Sequence, residues 1–110
     1  MTNGCVYSTT KFHDANPKVI RAFVEAIKEA VAFIAKDKRA AARYYLEANK
    51  EKISEDELVA LLEQPSSVFS AAPQNLLKAA QYFNRAGFIK QNPQSWKEFF
   101  FPEVHDLPGS

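Results

Sequence analysis

The feature that most limits the fold is a stripe of apolar residues in the first third of the chain. Its members recur at helical spacing: Ile20, Phe23, Val24, Ile27, Val31 and Ile34. Residues at this spacing share one side of an α-helix, so the pattern predicts a long amphipathic helix over 17–35. Asn16 is a favourable N-cap, and Pro17 suits the first helical position, where its missing N–H loses no hydrogen bond. The apolar side of this helix must pack against another element.

Four further helices are predicted downstream of the first one. Their ranges are 38–48, 55–63, 73–86 and 96–100. Two of them begin with an S-x-x-E capping box, at Ser54 and at Ser95, in which side chains satisfy backbone N–H groups of the first turn. Gly87 lies where a glycine commonly ends a helix in the left-handed conformation. These signals predict a mainly α-helical chain.

A short segment near the N-terminus favours a β-strand instead. Residues 5–10 include several strand-favouring side chains and follow Gly4. No second segment has a strand pattern, and a single strand cannot satisfy its own backbone N–H and C=O groups. We therefore expect it to pair with a segment outside this sequence or with its own copy in a homodimer. The predicted fold class is mainly α, with one N-terminal strand and four to five helices.

The balance of charges argues against a dedicated nucleic-acid binder. Lys and Arg together number 14 and Asp and Glu number 13, which gives a net charge of +1. Proteins that bind DNA, RNA or an acidic membrane surface usually carry a clear basic excess. Apolar residues make up 46% of the chain, too many for a disordered protein, and a single cysteine cannot form an internal disulfide. Composition therefore indicates a soluble, globular domain.

The sequence has neither a membrane-spanning pattern nor a secretory leader. No run approaches the roughly 20 apolar residues that span a bilayer. The first ten residues lack a basic region followed by an apolar core. Expressed as written, the chain is expected to stay in the cytoplasm.

The residues that could carry catalysis are scattered along the chain. His13 and His105 lie far apart, and neither belongs to a metal-binding motif. We expect His13 to be a solvated or capping loop residue just before a helix. Cys5 has no histidine beside it to lower its pKa, and we expect it to be a small buried apolar residue of the strand. The chain is therefore predicted to be no enzyme and to hold no metal or cofactor.

A cluster of aromatic residues near the C-terminus allows two interpretations. Trp96 is followed by Phe99, Phe100 and Phe101. These rings could form a platform on which a ligand stacks, or they could close the base of an apolar core. The core is the favoured interpretation, because aromatic side chains dominate the energetics of cores.

Several short motifs follow one another along nearly the whole chain. They are Val6–Phe12, Asn16–Pro17 with Ala22–Phe23, Ala40–Ala42 with Tyr45–Leu46, Ser54–Leu58, Phe69–Ser70 with Pro73 and Asn75–Leu76, Gly87–Lys90, Ser95–Lys97, Phe99–Phe101 and Leu107–Ser110. In this order they resemble the C-terminal part of a periplasmic substrate-binding protein of the nitrate/sulfonate/taurine class of ABC importers. Each motif is weak singly, and the series is specific.

This resemblance implies a type II periplasmic binding protein, a two-lobed α/β fold that closes on a small anion and delivers it to an ABC permease without catalysis. The chain would form the last segment of the first lobe, whose remaining sheet lies outside this sequence, and its location would be periplasmic. Tyr7 and Ser8, near the hinge between the lobes, are the candidate cleft-lining residues. A purely structural strand role is the alternative for both.

The sequence therefore supports two hypotheses about function. In the first, the chain is a segment of a solute-binding protein and binds its small anionic solute only together with the missing lobes. In the second, it is a stand-alone helical module whose apolar stripes grip a partner protein or a second copy.

Overall fold

The chain folds into helices joined by irregular segments. A computed structural model describes residues 2 and 4–110. In this part of the chain the α-helices are α1 (Thr10–Ala15), α2 (Pro17–Lys36), α3 (Lys38–Ala48), α4 (Glu55–Leu62) and α5 (Leu76–Arg85), followed by 3₁₀ helices at Trp96–Phe99 and Pro102–Val104. The prediction of a mainly helical chain is confirmed. None of these helices is both long and apolar enough to cross a membrane.

The predicted strand over 5–10 is wrong, because the described residues contain no strand. Residues 4–8 are irregular, and helix α1 begins at Thr10. Thr9 caps this helix, since its Oγ1 accepts a hydrogen bond of 3.1 Å from the backbone N–H of Phe12. Strand propensity depends on a pairing partner, and no neighbouring strand is present in the described chain to outweigh this local cap. Cys5 is also exposed rather than buried.

The described chain separates into two units. The terminal unit comprises the residues up to Glu25 together with Ala71–Ser110, and the central unit comprises Ala26–Ser70. Helix α2 belongs to both, since its first part lies in the terminal unit and its second part in the central one.

In the central unit, α3 packs against α4. Ala42 of α3 is fully buried, and Val59 of α4 is buried as well. Charged side chains join the same two helices. Arg39 donates to Glu55 at 2.7 Å and to Asp56 at 2.9 Å, and Arg43 donates to Glu55 at 3.1 Å. Hydrogen bonds from Arg39 and then Arg43 hold the pKa of Glu55 below its ordinary value.

The starts of α3 and α4 follow local sequence signals. Asp37 caps α3 by accepting a hydrogen bond of 2.9 Å from the backbone N–H of Ala40. Ser54 and Glu57 form the complete capping box of α4, with each side chain bonded to the other residue's backbone N–H. These bonds satisfy N–H groups that have no partner inside the helix, which is why both helices begin where they do.

In the terminal unit, the start of α5 depends on residues from the end of the chain. The backbone N–H of Leu76 donates to the carbonyl oxygen of Ser110 at 2.8 Å, and that of Asn75 donates to the Ser110 hydroxyl at 3.0 Å. Ser110 donates in return to the carbonyl of Pro73 at 2.9 Å. Asn75 is left-handed, with φ 59°, so the helix begins after it and not at Pro73, the predicted start.

Gly87 ends α5 in the left-handed conformation, with φ 81°. The N–H of Phe88 donates to the carbonyl of Phe83 at 2.9 Å, and that of Gly87 donates to the carbonyl of Asn84 at 3.0 Å. This pair of bonds is a Schellman motif, which satisfies carbonyls at the end of a helix.

We expect Gly87→Ala to lower the free energy of unfolding by about 1–2 kcal/mol, because an L side chain is strained in this conformation. A Cβ at this position would meet no atom within 4 Å, so the cost is conformational and not steric. Urea denaturation of the variant measures it. Gly87→Asn is the matched control, since asparagine tolerates left-handed backbone and should lose less stability. Equal losses for the two variants would contradict this explanation.

Candidate functional site

The terminal unit carries an open cleft of about 620 Å³. Three parts of the chain line it: the irregular segment 5–8 with the start of α1, the helix α5 with Ile89 beyond its end, and the segment 98–101. The lining residues are Cys5, Val6, Tyr7, Ser8, Thr10, Leu76, Ala79, Ala80, Phe83, Ile89, Glu98, Phe99, Phe100 and Phe101. The cleft is the candidate functional site of this unit.

One wall of the cleft is a single face of α5. Leu76, Ala79, Ala80 and Phe83 recur at i, i+3, i+4 and i+7, so their side chains share one side of the helix. The sequence pattern places five residues on the inner face of this helix, Leu76, Leu77, Ala80, Phe83 and Ala86, of which Leu76, Ala80 and Phe83 line the cleft. In the structure Phe83 is still exposed. Part of the predicted inner face therefore forms an apolar wall of the open cleft.

Tyr7 and Ser8, the two candidate ligand-binding residues, both line this cleft. Tyr7 is 94% exposed, so its ring packs against almost nothing in the chain. The Ser8 hydroxyl donates to the carbonyl of Thr9 at 3.3 Å. The backbone from Cys5 to Ser8 makes no hydrogen bond to the rest of the described chain. This segment therefore offers free N–H and C=O groups along the side of an apolar groove.

The cleft has little to hold a small anion. No lysine or arginine is found among its lining residues, all of which lie in the described part of the chain. Glu98 is the charged group, and its Oε1 already accepts hydrogen bonds from the backbone N–H groups of Gln94 and Ser95 at 2.7 and 2.9 Å. Anion sites in proteins use cationic side chains or free N–H groups of a helix start. At the start of α5, the N–H groups of Asn75 and Leu76 are already bonded to Ser110.

Trp96 of the aromatic cluster belongs to the core, and the stacking of a ligand on the phenylalanine rings stays a prediction. Trp96 is buried, with ring contacts to Phe100 at 5.8 Å and to His105 at 5.9 Å between centroids. Phe99, Phe100 and Phe101 line the cleft. His105 supports this turn, because its Nε2 lies 2.8 Å from the carbonyl oxygen of Phe100 and 3.1 Å from that of Lys97.

His13 lies beside the cleft in a cluster that the sequence did not predict. Its Nδ1 lies 2.8 Å from a carboxylate oxygen of Asp14, and its Nε2 lies 2.8 Å from a carboxylate oxygen of Glu103. The ring stacks on Phe101, with centroids 4.0 Å apart and planes 8° from parallel. The expectation of a solvated or capping loop residue is wrong: His13 lies within α1, and its side chain is 15% exposed.

The charges of this cluster shift the pKa of both partners. Hydrogen bonds to Asp14 and then to Glu103 raise the pKa of His13 above 6.5, and burial opposes them. The pKa of Glu103 is lowered from 4.5, first by its own backbone N–H and then by His13, with a smaller contribution from Arg21. Burial opposes that shift as well. The shifts favour a protonated imidazole facing an ionised carboxylate.

The structure does not bring the other reactive residues together. His13 and His105 have separate partners, and Cys5 makes no hydrogen bond to a histidine among the described residues. In the same part of the chain no group of three or more His, Cys, Asp or Glu side chains is arranged to hold a metal ion. Comparison of the chain with protein-family models, with curated proteins and with solved structures finds no match.

Proposed function

We propose that the chain is the segment of an ABC-importer solute-binding protein that completes the first lobe, for small anions such as nitrate, sulfonates or taurine. The observation that carries this proposal is an apolar cleft bordered by unpaired backbone. Along one side of the cleft, the backbone N–H and C=O groups from Cys5 to Ser8 have no hydrogen-bond partner in the described chain. A surface of this kind suits coverage by a neighbouring β-strand, as the α/β lobe of the family would supply. The ordered series of motifs from Val6 to Ser110 supports the same proposal.

The degree of burial in the terminal unit also supports it. Apart from Trp96, its large apolar side chains keep substantial contact with solvent, and Val6, Tyr82, Phe83, Phe88 and Phe99 are all exposed. Contiguous apolar surface of this kind usually marks a face that another protein element covers. In the proposed lobe, the remaining strands of the sheet cover this apolar surface. On the same proposal, the protein acts in the periplasm.

On this proposal the isolated chain binds no solute, because no lysine or arginine side chain lines the cleft to bind an anion. Isothermal titration calorimetry of the 110-residue chain with nitrate, taurine and methanesulfonate should give no saturable heat. If the isolated chain bound any of these anions with micromolar affinity, the proposal that other parts of the protein contact the solute would be wrong.

A graft tests whether the chain can complete such a lobe. The C-terminal segment of a taurine-binding protein is replaced by residues 6–110 of this chain, and the same protein truncated before that segment is the control. We expect the graft to bind taurine, since most contacts to the solute come from the other parts of the fold. A graft that fails to fold or bind, like the truncated control, would count against the proposal.

A stand-alone interaction module is the second candidate function, and the free backbone of the N-terminal segment favours it too. Two copies could pair through residues 5–8 and form a homodimer. Sedimentation of the chain should then give twice the 12.4 kDa of one chain. Val6→Pro removes an N–H needed for pairing and should yield the monomer, whereas the control Val6→Thr should stay dimeric. If the unsubstituted chain is a monomer that unfolds cooperatively, this pairing is excluded.

A further inference from the structure

We propose that His13 and Glu103 form a pH-sensitive clasp that fastens α1 to the C-terminal segment and thereby holds two walls of the cleft together. The two residues are 90 positions apart, and their contact at 2.8 Å ties the helix Thr10–Ala15 to the 3₁₀ helix Pro102–Val104. This inference goes beyond the proposed function and does not depend on it.

The clasp is connected to the cleft through its immediate neighbours. Thr10, the first residue of α1, lines the cleft on one side. Phe101 lines it on another side and stacks directly on the His13 ring. A movement of His13 away from Glu103 therefore releases both the stacked Phe101 ring and the start of α1. The width of the cleft between these two residues follows the state of the clasp.

The protonation state of His13 decides how strongly the clasp holds. A protonated imidazole has two N–H groups and can donate to Asp14 and Glu103 at the same time. A neutral imidazole has one N–H, so a lone pair then faces one of the two carboxylates. Glu103 is only 17% exposed, and its Oε2 is buried without a hydrogen-bond partner. Loss of the imidazolium charge therefore leaves a poorly solvated carboxylate, because water cannot reach it freely.

The charged groups around the pair set the pH range of the clasp. Asp14 faces His13 from its own helix, Glu103 faces it from the C-terminal segment, and Arg21 of α2 acts on Glu103. His13 has a raised pKa, so its contribution is complete below pH 6.5 and is lost as the pH rises through its pKa in the folded chain. Glu103 has a lowered pKa, so its contribution is complete above pH 4.5 and is lost as the pH falls through its folded pKa. The clasp is closed between these limits and loosens at alkaline pH.

Hydrogen exchange measured on the 110-residue chain tests the clasp. After correction for the intrinsic exchange rate, amide protection in α1 and at Val104 and His105, whose N–H groups donate to the carbonyls of Phe101 and Pro102, should be lost between about pH 5.5 and about pH 8.5. Glu103→Gln and His13→Gln should remove this pH dependence. Asp14→Asn is the comparison variant, because Asp14 raises the pKa of His13 but makes no link to the C-terminal segment; protection should still be lost on raising the pH, but at a lower pH than in the wild type.

An NMR titration of the wild-type chain keeps the proposal testable if a variant fails to fold. The His13 ring should titrate above pH 6.5, and the Glu103→Gln substitution should lower its pKa. Equal protection of α1 at both pH values, or a His13 pKa at or below 6.5, would overturn the proposal. If Glu103→Gln lowers protection at every pH and the pH dependence of the wild type persists, the contact is purely structural and the proposal is overturned.

Discussion

Replacing Trp96 with alanine is expected to lower the free energy of unfolding by about 3–5 kcal/mol, the range typical of truncating a buried aromatic side chain. Trp96 is 7% exposed and is the largest buried side chain of the terminal unit. It contacts the rings of Phe100 and His105, and Gly109 lies against its face. Because small domains are stable by only about 5–15 kcal/mol, this loss would be a large part of the total.

Urea denaturation followed by circular dichroism measures this effect without relying on the tryptophan signal. Phe88→Ala is the matched control, since it also truncates an aromatic side chain but at a position that is 76% exposed. It should cost less than about 1 kcal/mol, as most surface substitutions do. Similar losses for Trp96→Ala and Phe88→Ala would contradict the view that Trp96 is the centre of this core.

Substitution of Gly109 by alanine is the second change with a large expected effect. A Cβ at this position would lie 2.7 to 2.9 Å from three carbon atoms of the Trp96 indole, closer than real side chains approach. The indole is buried and rigid, so the C-terminal segment or the ring must shift. Overpacking of this kind costs about 1–3 kcal/mol. The shift would also disturb Ser110, whose carbonyl and hydroxyl oxygens accept hydrogen bonds at the start of α5.

Two controls separate steric conflict from other effects of the added methyl group. Gly4→Ala places a Cβ where no atom lies within 4 Å and should leave stability nearly unchanged. In the Trp96→Ala background the indole is absent, so Gly109→Ala should then cost much less than in the wild type. An equal cost in both backgrounds would show that the contact with Trp96 is not the cause. Urea denaturation of the wild type, the two single variants and the double variant completes this double-mutant cycle.

The helices that could be predicted from the sequence are those with strong local signals. The apolar stripe of Ile20 to Ile34 predicts a helix over 17–35, and α2 spans Pro17–Lys36. Asp37 and Ser54 act as caps, as their positions indicate. Such signals depend on neighbours within about four residues, so they do not require knowledge of the rest of the fold.

The errors arose where the outcome depends on distant residues. Residues 5–10 have strand propensity, but a strand forms only when a neighbouring segment accepts its hydrogen bonds. Without one in the described chain, Thr9 caps the helix α1 instead. The late start of α5 has the same origin, because its first N–H groups are bonded to Ser110, 34 and 35 positions away from the donors.

The candidate site could be predicted only in part. The resemblance indicates Tyr7 and Ser8 as residues near a hinge between two lobes; both lie along the cleft of the terminal unit, and their role in binding a ligand stays a prediction. The partner of His13 could not have been found, since Glu103 is 90 residues away and no motif connects them. No signal at Phe101 indicated that its ring stacks on an imidazole.

By itself, the sequence determined the helical character of this chain, the limits of α2 and the caps of α3 and α4, because each follows from contacts within one or two helical turns. Only the tertiary structure decided that residues 5–8 stay unpaired, that Trp96 is buried against Gly109, and that His13 meets Glu103. The physical reason is that burial, pairing and charge contact depend on which distant segments become neighbours, and this depends on the packing of the whole unit.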